Sequence, residues 1–89
     1  MSDERESLLE FPCSFPLKII GLAGDVMARG VLEVVLRHAP DFDAATMETR
    51  SSTAGRYLSL TCTINATSRA QLDALYRELS SHPLVTMVL

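Results

Sequence analysis

Few residues in this chain can do chemistry. His38 and His82 are its histidines, and Cys13 and Cys62 its cysteines. A protein metal site draws on such donors at close spacing, as in Cys-x-x-Cys pairs. Here the cysteines stand far apart and no such pair occurs. Nucleophilic catalysis needs a serine or cysteine beside a base that a third group orients. No local motif groups serine, histidine and carboxylate in this way. Both histidines fall at the ends of predicted helices, where an imidazole serves the last carbonyls or faces water. No glycine pattern of the Walker or dinucleotide type occurs. The junction Gly21-Leu22-Ala23-Gly24, followed by Asp25, stands between a predicted strand and a predicted helix. Bare N–H groups at such a point can receive an anion. A tight turn is the plainer reading of the same residues. The expectation is a non-enzyme with no metal and no cofactor.

The elements that position these residues follow from periodicity. Leu17–Leu22 reads as a strand, bounded by Pro16 and Gly24. Met27, Val31, Val34, Val35 and His38 then recur at helical spacing until Pro40 stops the run. Gly30 inside it costs about 1 kcal/mol against alanine unless something packs close there. Ala45–Arg50 is a weak strand, and Ser51–Gly55 a polar connector. Leu58, Leu60, Cys62, Ile64 and Ala66 alternate with Tyr57, Ser59, Thr61, Thr63 and Asn65, the clearest strand in the chain. Thr67 or Ser68 can cap the second helix, and Gln71 stands three residues after Ser68, a capping-box spacing. Leu72, Leu75, Tyr76 and Leu79 form the second helical stripe, and Leu84–Leu89 a final strand.

Composition limits the function classes. Eighty-nine residues allow one domain. The acidic start, Asp3, Glu4, Glu6 and Glu10 against Arg5, accounts for the whole net charge of −3. The body is neutral and holds a single lysine, Lys18. Nucleic-acid binding needs an excess of Lys and Arg, so it is not expected. No apolar run approaches the roughly 20 residues that span a bilayer, and no secretory leader is visible. Two thiols without an export signal point to a reducing cytoplasm. Residues 1–7 read as a disordered acidic tail and 8–89 as the domain. Leu8, Leu9, Phe11 and Phe15, broken by Pro12 and Pro16, read as a hook that covers part of the core or docks a partner.

The order βαββαβ implies an α+β, ferredoxin-like sandwich. Its four-stranded antiparallel sheet has strand order 4-1-3-2, with both helices on one face. Parity assigns the other face Lys18, Ile20, Thr46, Glu48, Arg50, Tyr57, Ser59, Thr61, Thr63, Leu84, Thr86 and Val88. Tyr57 is the single aromatic there, short of the stacking platform of RNA-binding modules. The apolar last strand forms an edge, which invites a homodimer or a protein partner.

Several segments together resemble a family of small bacterial proteins typified by YbeD. They are Leu8-Leu9-Glu10-Phe11-Pro12, Phe15 and Lys18 ahead of Gly21, Arg37-His38-Ala39-Pro40, Thr63-Ile64-Asn65-Ala66-Thr67, and Met87-Val88-Leu89. The resemblance runs from Leu8 to Leu89 and implies an ACT-like ferredoxin fold. It also implies a non-catalytic regulatory role with a small acidic effector of the lipoate type. By analogy with ACT domains the effector would sit at Gly21, Gly24 and Asp25. The alternative is an assembly module working through the sheet edge, the hook, or a surface that includes Tyr57, Thr61, Thr63 and Val88.

Overall fold

The structure, a computed structural model, describes residues 10–89. The acidic tail 1–7 and the hook residues Leu8 and Leu9 lie outside the described residues. The chain forms β1 (Cys13–Leu22), α1 (Asp25–His38), a 3-10 turn (Ala44–Thr46), β2 (Glu48–Ser51), β3 (Tyr57–Ala66), α2 (Arg69–Ser81) and β4 (Val85–Val88). The sheet is antiparallel throughout, in the order β2-β3-β1-β4. This is the predicted 4-1-3-2 arrangement read from the opposite edge.

Alternation along β3 buries Leu60, Cys62, Ile64 and Ala66. In register, Leu17 of β1 lies opposite Cys62, and Ile19 opposite Leu60. The helices complete the core with Met27, Val31, Val34 and Val35 from α1 and Leu72, Leu75 and Leu79 from α2. Full burial of each large aliphatic contributes about 1.5–3 kcal/mol. Ser68 caps α2 as its spacing predicts: its Oγ accepts the Gln71 N–H at 3.0 Å. Gly30 is matched by close packing, since a Cβ there would lie 2.6 Å from His82 Nε2.

Three features differ from the pattern reading. β1 starts at Cys13 and runs through Pro16. Lys18 exchanges backbone hydrogen bonds with Leu89 at 3.1 and 2.8 Å. Pro16, two residues earlier, aims its missing N–H the same way but past the end of β4, where no ladder bond is lost. Phe15 therefore belongs to the strand and not to a hook, and packs with Phe11 against the core. Thr46 is a turn residue and not part of β2. Asp43 Oδ1 accepts the Ala45 N–H at 3.0 Å, and the Thr46 hydroxyl donates to the Asp43 carbonyl at 2.6 Å.

The third difference is a bulge in β4. Ile20 pairs with Met87, but Gly21 pairs with Val85, so Thr86 is the extra residue. Its hydroxyl donates to the Ile20 carbonyl at 3.0 Å. A slip of one residue exchanges the faces of a strand. Val88, assigned above to the open face, is instead 8% exposed and part of the core, while Met87 points outward at 51%. Leu84 likewise packs against the core.

Candidate functional site: the open face of the sheet

The face away from the helices is built in rows. Lys18, Thr61 and Glu48 stand in line across β1, β3 and β2, and Ile20, Ser59 and Arg50 form the next row. Neighbouring strands are about 4.8 Å apart, so Lys18 and Arg50 flank β3 on its two sides. Their side chains, with Glu48, Thr49, Ser59 and Thr61, line a groove of about 470 Å³. Two cations and one carboxylate leave it a net positive charge. Among the described residues, Lys18, Glu48 and Arg50 enter no ion pair. A second hollow of about 310 Å³ continues from Lys18 and Arg50 over Ile20, Tyr57 and Leu58. Exposed Met87, opposite Ile20, and Leu22, opposite Tyr57, extend the apolar side. The face therefore joins a cationic, hydroxyl-bearing groove to an apolar shelf.

The residues predicted as sites fall in different places. Tyr57, Thr61 and Thr63 lie on this open face, with Thr63 opposite Pro16 and outside the groove. Val88 does not reach the face, for the reason given above. Gly21, Gly24 and Asp25 lie together at the β1–α1 junction. A Cβ on Gly21 would stand 2.4 Å from the Leu84 carbonyl oxygen, and Gly24 has φ +141°. Both glycines thus meet demands of packing and backbone. Asp25 stands in the first turn of α1, where its charge suits the helix dipole and opposes a second anion.

Pattern reading placed Lys18 and Arg50 on the open face but did not single them out. They come from different strands, and only the register brings them to one groove. Burial pushes the Cys62 thiol up to about 11, away from use as a nucleophile. His38 joins the end of α1 to α2, and His82 fastens the turn between α2 and β4. His38 Nε2 meets Glu78 Oε1 at 2.7 Å, beside an Arg37–Glu78 ion pair, and His82 Nδ1 accepts the Leu84 N–H at 3.1 Å. Among the described residues no three His, Cys, Asp or Glu side chains group to hold a metal. No helix among them is long and apolar enough to cross a membrane.

A four-stranded antiparallel sheet carrying two helices on one face is a ferredoxin-like α+β fold, the fold that ACT domains share. The ACT domain of GTP pyrophosphokinase from Chlorobium tepidum superposes with TM-score 0.66 at 16% identity, covering 86% of this chain and 97% of that one. The solution structure of protein HP0495 from H. pylori superposes with TM-score 0.69 at 16% identity, covering 91% and 85%. These likenesses concern the fold. Residues 6–89 match the family described as "Protein of unknown function (DUF493)", and the chain belongs to that family. A UPF0250 protein of Nitrosomonas europaea is 58% identical over 85 residues, 96% of this chain and 98% of the relative. One from Chromobacterium violaceum is 51% identical over 89 residues, the full length of both. The resemblance to small YbeD-like bacterial proteins agrees with this membership.

Proposed function

We propose that this protein is a non-catalytic regulatory domain of the cytoplasm that binds a small acidic effector on the open face of its sheet. The observation that carries the reading is the groove between Lys18 and Arg50 with the apolar shelf beside it. A carboxylate placed there meets two cations and the hydroxyls of Ser59 and Thr61. The net charge of the groove suits one carboxylate better than two. An aliphatic tail then lies along Ile20 and Tyr57, which fits an acid of the lipoate type. The β1–α1 junction supports an anion less well, because Asp25 already stands at the helix start. Free Cys13 and Cys62 fit a reducing compartment.

An assembly role through β4 is less favoured. The Val88 carbonyl on its outer edge already accepts the Tyr76 hydroxyl, and the bulge at Thr86 breaks its line.

The test is titration of isotope-labelled protein with lipoate, and with octanoate as the tail control, followed by chemical shifts and thermal stability. Shifts at Lys18, Ile20, Ser59 and Thr61 are expected, with a rise in Tm because the ligand binds the native state. Replacing Lys18 and Arg50 together by alanine removes both responses. No shift at millimolar ligand overturns the reading. Shifts confined to residues 21–26 overturn the placement on the sheet.

A further inference from the structure

The groove on the open face has four corners. Lys18 and Glu48 end one row, with Thr61 between them, and Ile20 and Arg50 end the next, with Ser59 between them. The two flanking strands lie about 10 Å apart and the two rows about 7 Å apart. Lys18 and Arg50 therefore hold one diagonal, and Glu48 and Ile20 the other. Ile20 opens onto the apolar hollow with Tyr57 and Leu58. Glu48 stands outside that hollow, in the opposite corner of the groove. It is exposed, and among the described residues no ion pair neutralises it. A carboxylate seated between the two cations thus has a like charge on one side and an apolar side chain on the other.

We infer that Glu48 is the specificity-determining residue of this groove, an inference that rests on the effector placement proposed above. It selects apolar acids whose head group carries one negative charge. A second charge on the head has two places to go. Toward Glu48 it meets a like charge, and toward Ile20 it gives up water for an apolar surface. Acids with two carboxylates at one end are refused, and so are phosphate monoesters, which are dianions near neutral pH. The same corner directs the tail away from Glu48 and over Ile20. Repulsion of this kind weakens the correct ligand as well, but weakens a doubly charged competitor more, and the difference is the selectivity.

Calorimetric titration of the full chain at low salt tests it with two ligands. One is octanoate, and the other is hexylmalonate, which is octanoate with a second carboxylate on the carbon next to its first. Octanoate is expected to bind the native chain more tightly. Glu48→Gln keeps the size of the side chain and removes its charge. One unit charge roughly 6 Å from another in water changes affinity about threefold. Octanoate should therefore gain about threefold, and hexylmalonate, with two charges, about tenfold. Glu48→Lys should carry the same trend further and turn the preference to hexylmalonate. Glu33→Gln, on an exposed position of α1 behind the sheet, makes the same change in net charge and should leave both affinities unaltered. An equal gain for both acids in Glu48→Gln overturns the role of Glu48 but leaves the effector on the sheet. So does a native preference for hexylmalonate, or the same change of ratio in Glu33→Gln. Binding of neither acid at millimolar concentration, in the native chain and in both Glu48 variants, overturns the effector reading itself and the role of Glu48 with it.

Discussion

At Gly21 the limiting contact is the Leu84 carbonyl oxygen, which leaves no room for a methyl group. Gly21→Ala is expected to lower stability by about 2 kcal/mol or more, through forced displacement of β4. Gly24→Ala, at φ +141°, is expected to cost about 1–2 kcal/mol. Urea denaturation measures both, and unchanged midpoints would return the junction to consideration as a pure ligand cradle. Cys62 gives a pH dependence of definite sign. Its thiol ionises near 9.0 when exposed and near 11 in the fold. Between these values the unfolded chain has lost a proton that the native state keeps, so stability falls as pH rises. The slope reaches at most about 1.4 kcal/mol per pH unit. Comparing denaturation from pH 8 to 11 in the native chain and in Cys62→Ala isolates it, since the variant lacks that part of the slope. The burial of Cys62 was legible from alternation alone. The reason for Gly21 was not, because a glycine kept for an anion and one kept for a distant carbonyl look alike in a sequence.

Elements were legible wherever a single period ran unbroken. The alternation of β3 and the stripe and cap of α2 needed no tertiary information. Ser68→Ala should therefore cost about 1 kcal/mol, as loss of an N-cap does. β1 and β4 were less legible for opposite reasons. Pro16 reads as a terminator, yet it is harmless where no neighbouring strand needs its N–H. The bulge at Thr86 changes parity within a strand too short to reveal it, so Val88 and Met87 exchange faces. Tyr76 sits on the apolar stripe of α2 but is 43% exposed, and its hydroxyl donates to the Val88 carbonyl. Tyr76→Phe is expected to cost about 1 kcal/mol. It also frees an edge carbonyl, so aggregation measured by light scattering should rise in that variant.

The strand order of the whole molecule followed from the βαββαβ sequence and the handedness of its crossovers. The open face was legible as a surface, but the groove was not. Its two cations, Lys18 and Arg50, are contributed by the strands on either side of β3. Because the groove is open to solvent, binding of an acid there should weaken as salt rises, which calorimetry at two ionic strengths would show. A different consequence comes from Gln71. Its side-chain oxygen accepts the Thr67 N–H at 2.7 Å, and its side-chain nitrogen donates to the His38 carbonyl at 2.9 Å. One residue thereby ties the last turn of α1 to the first turn of α2. Ends of helices ordinarily fray independently, but these share a fastening and should open as one cooperative unit. Amide exchange at Ala39 and Phe42 should accordingly keep pace with exchange at Gln71. In Gln71→Ala the two ends should exchange at unrelated rates.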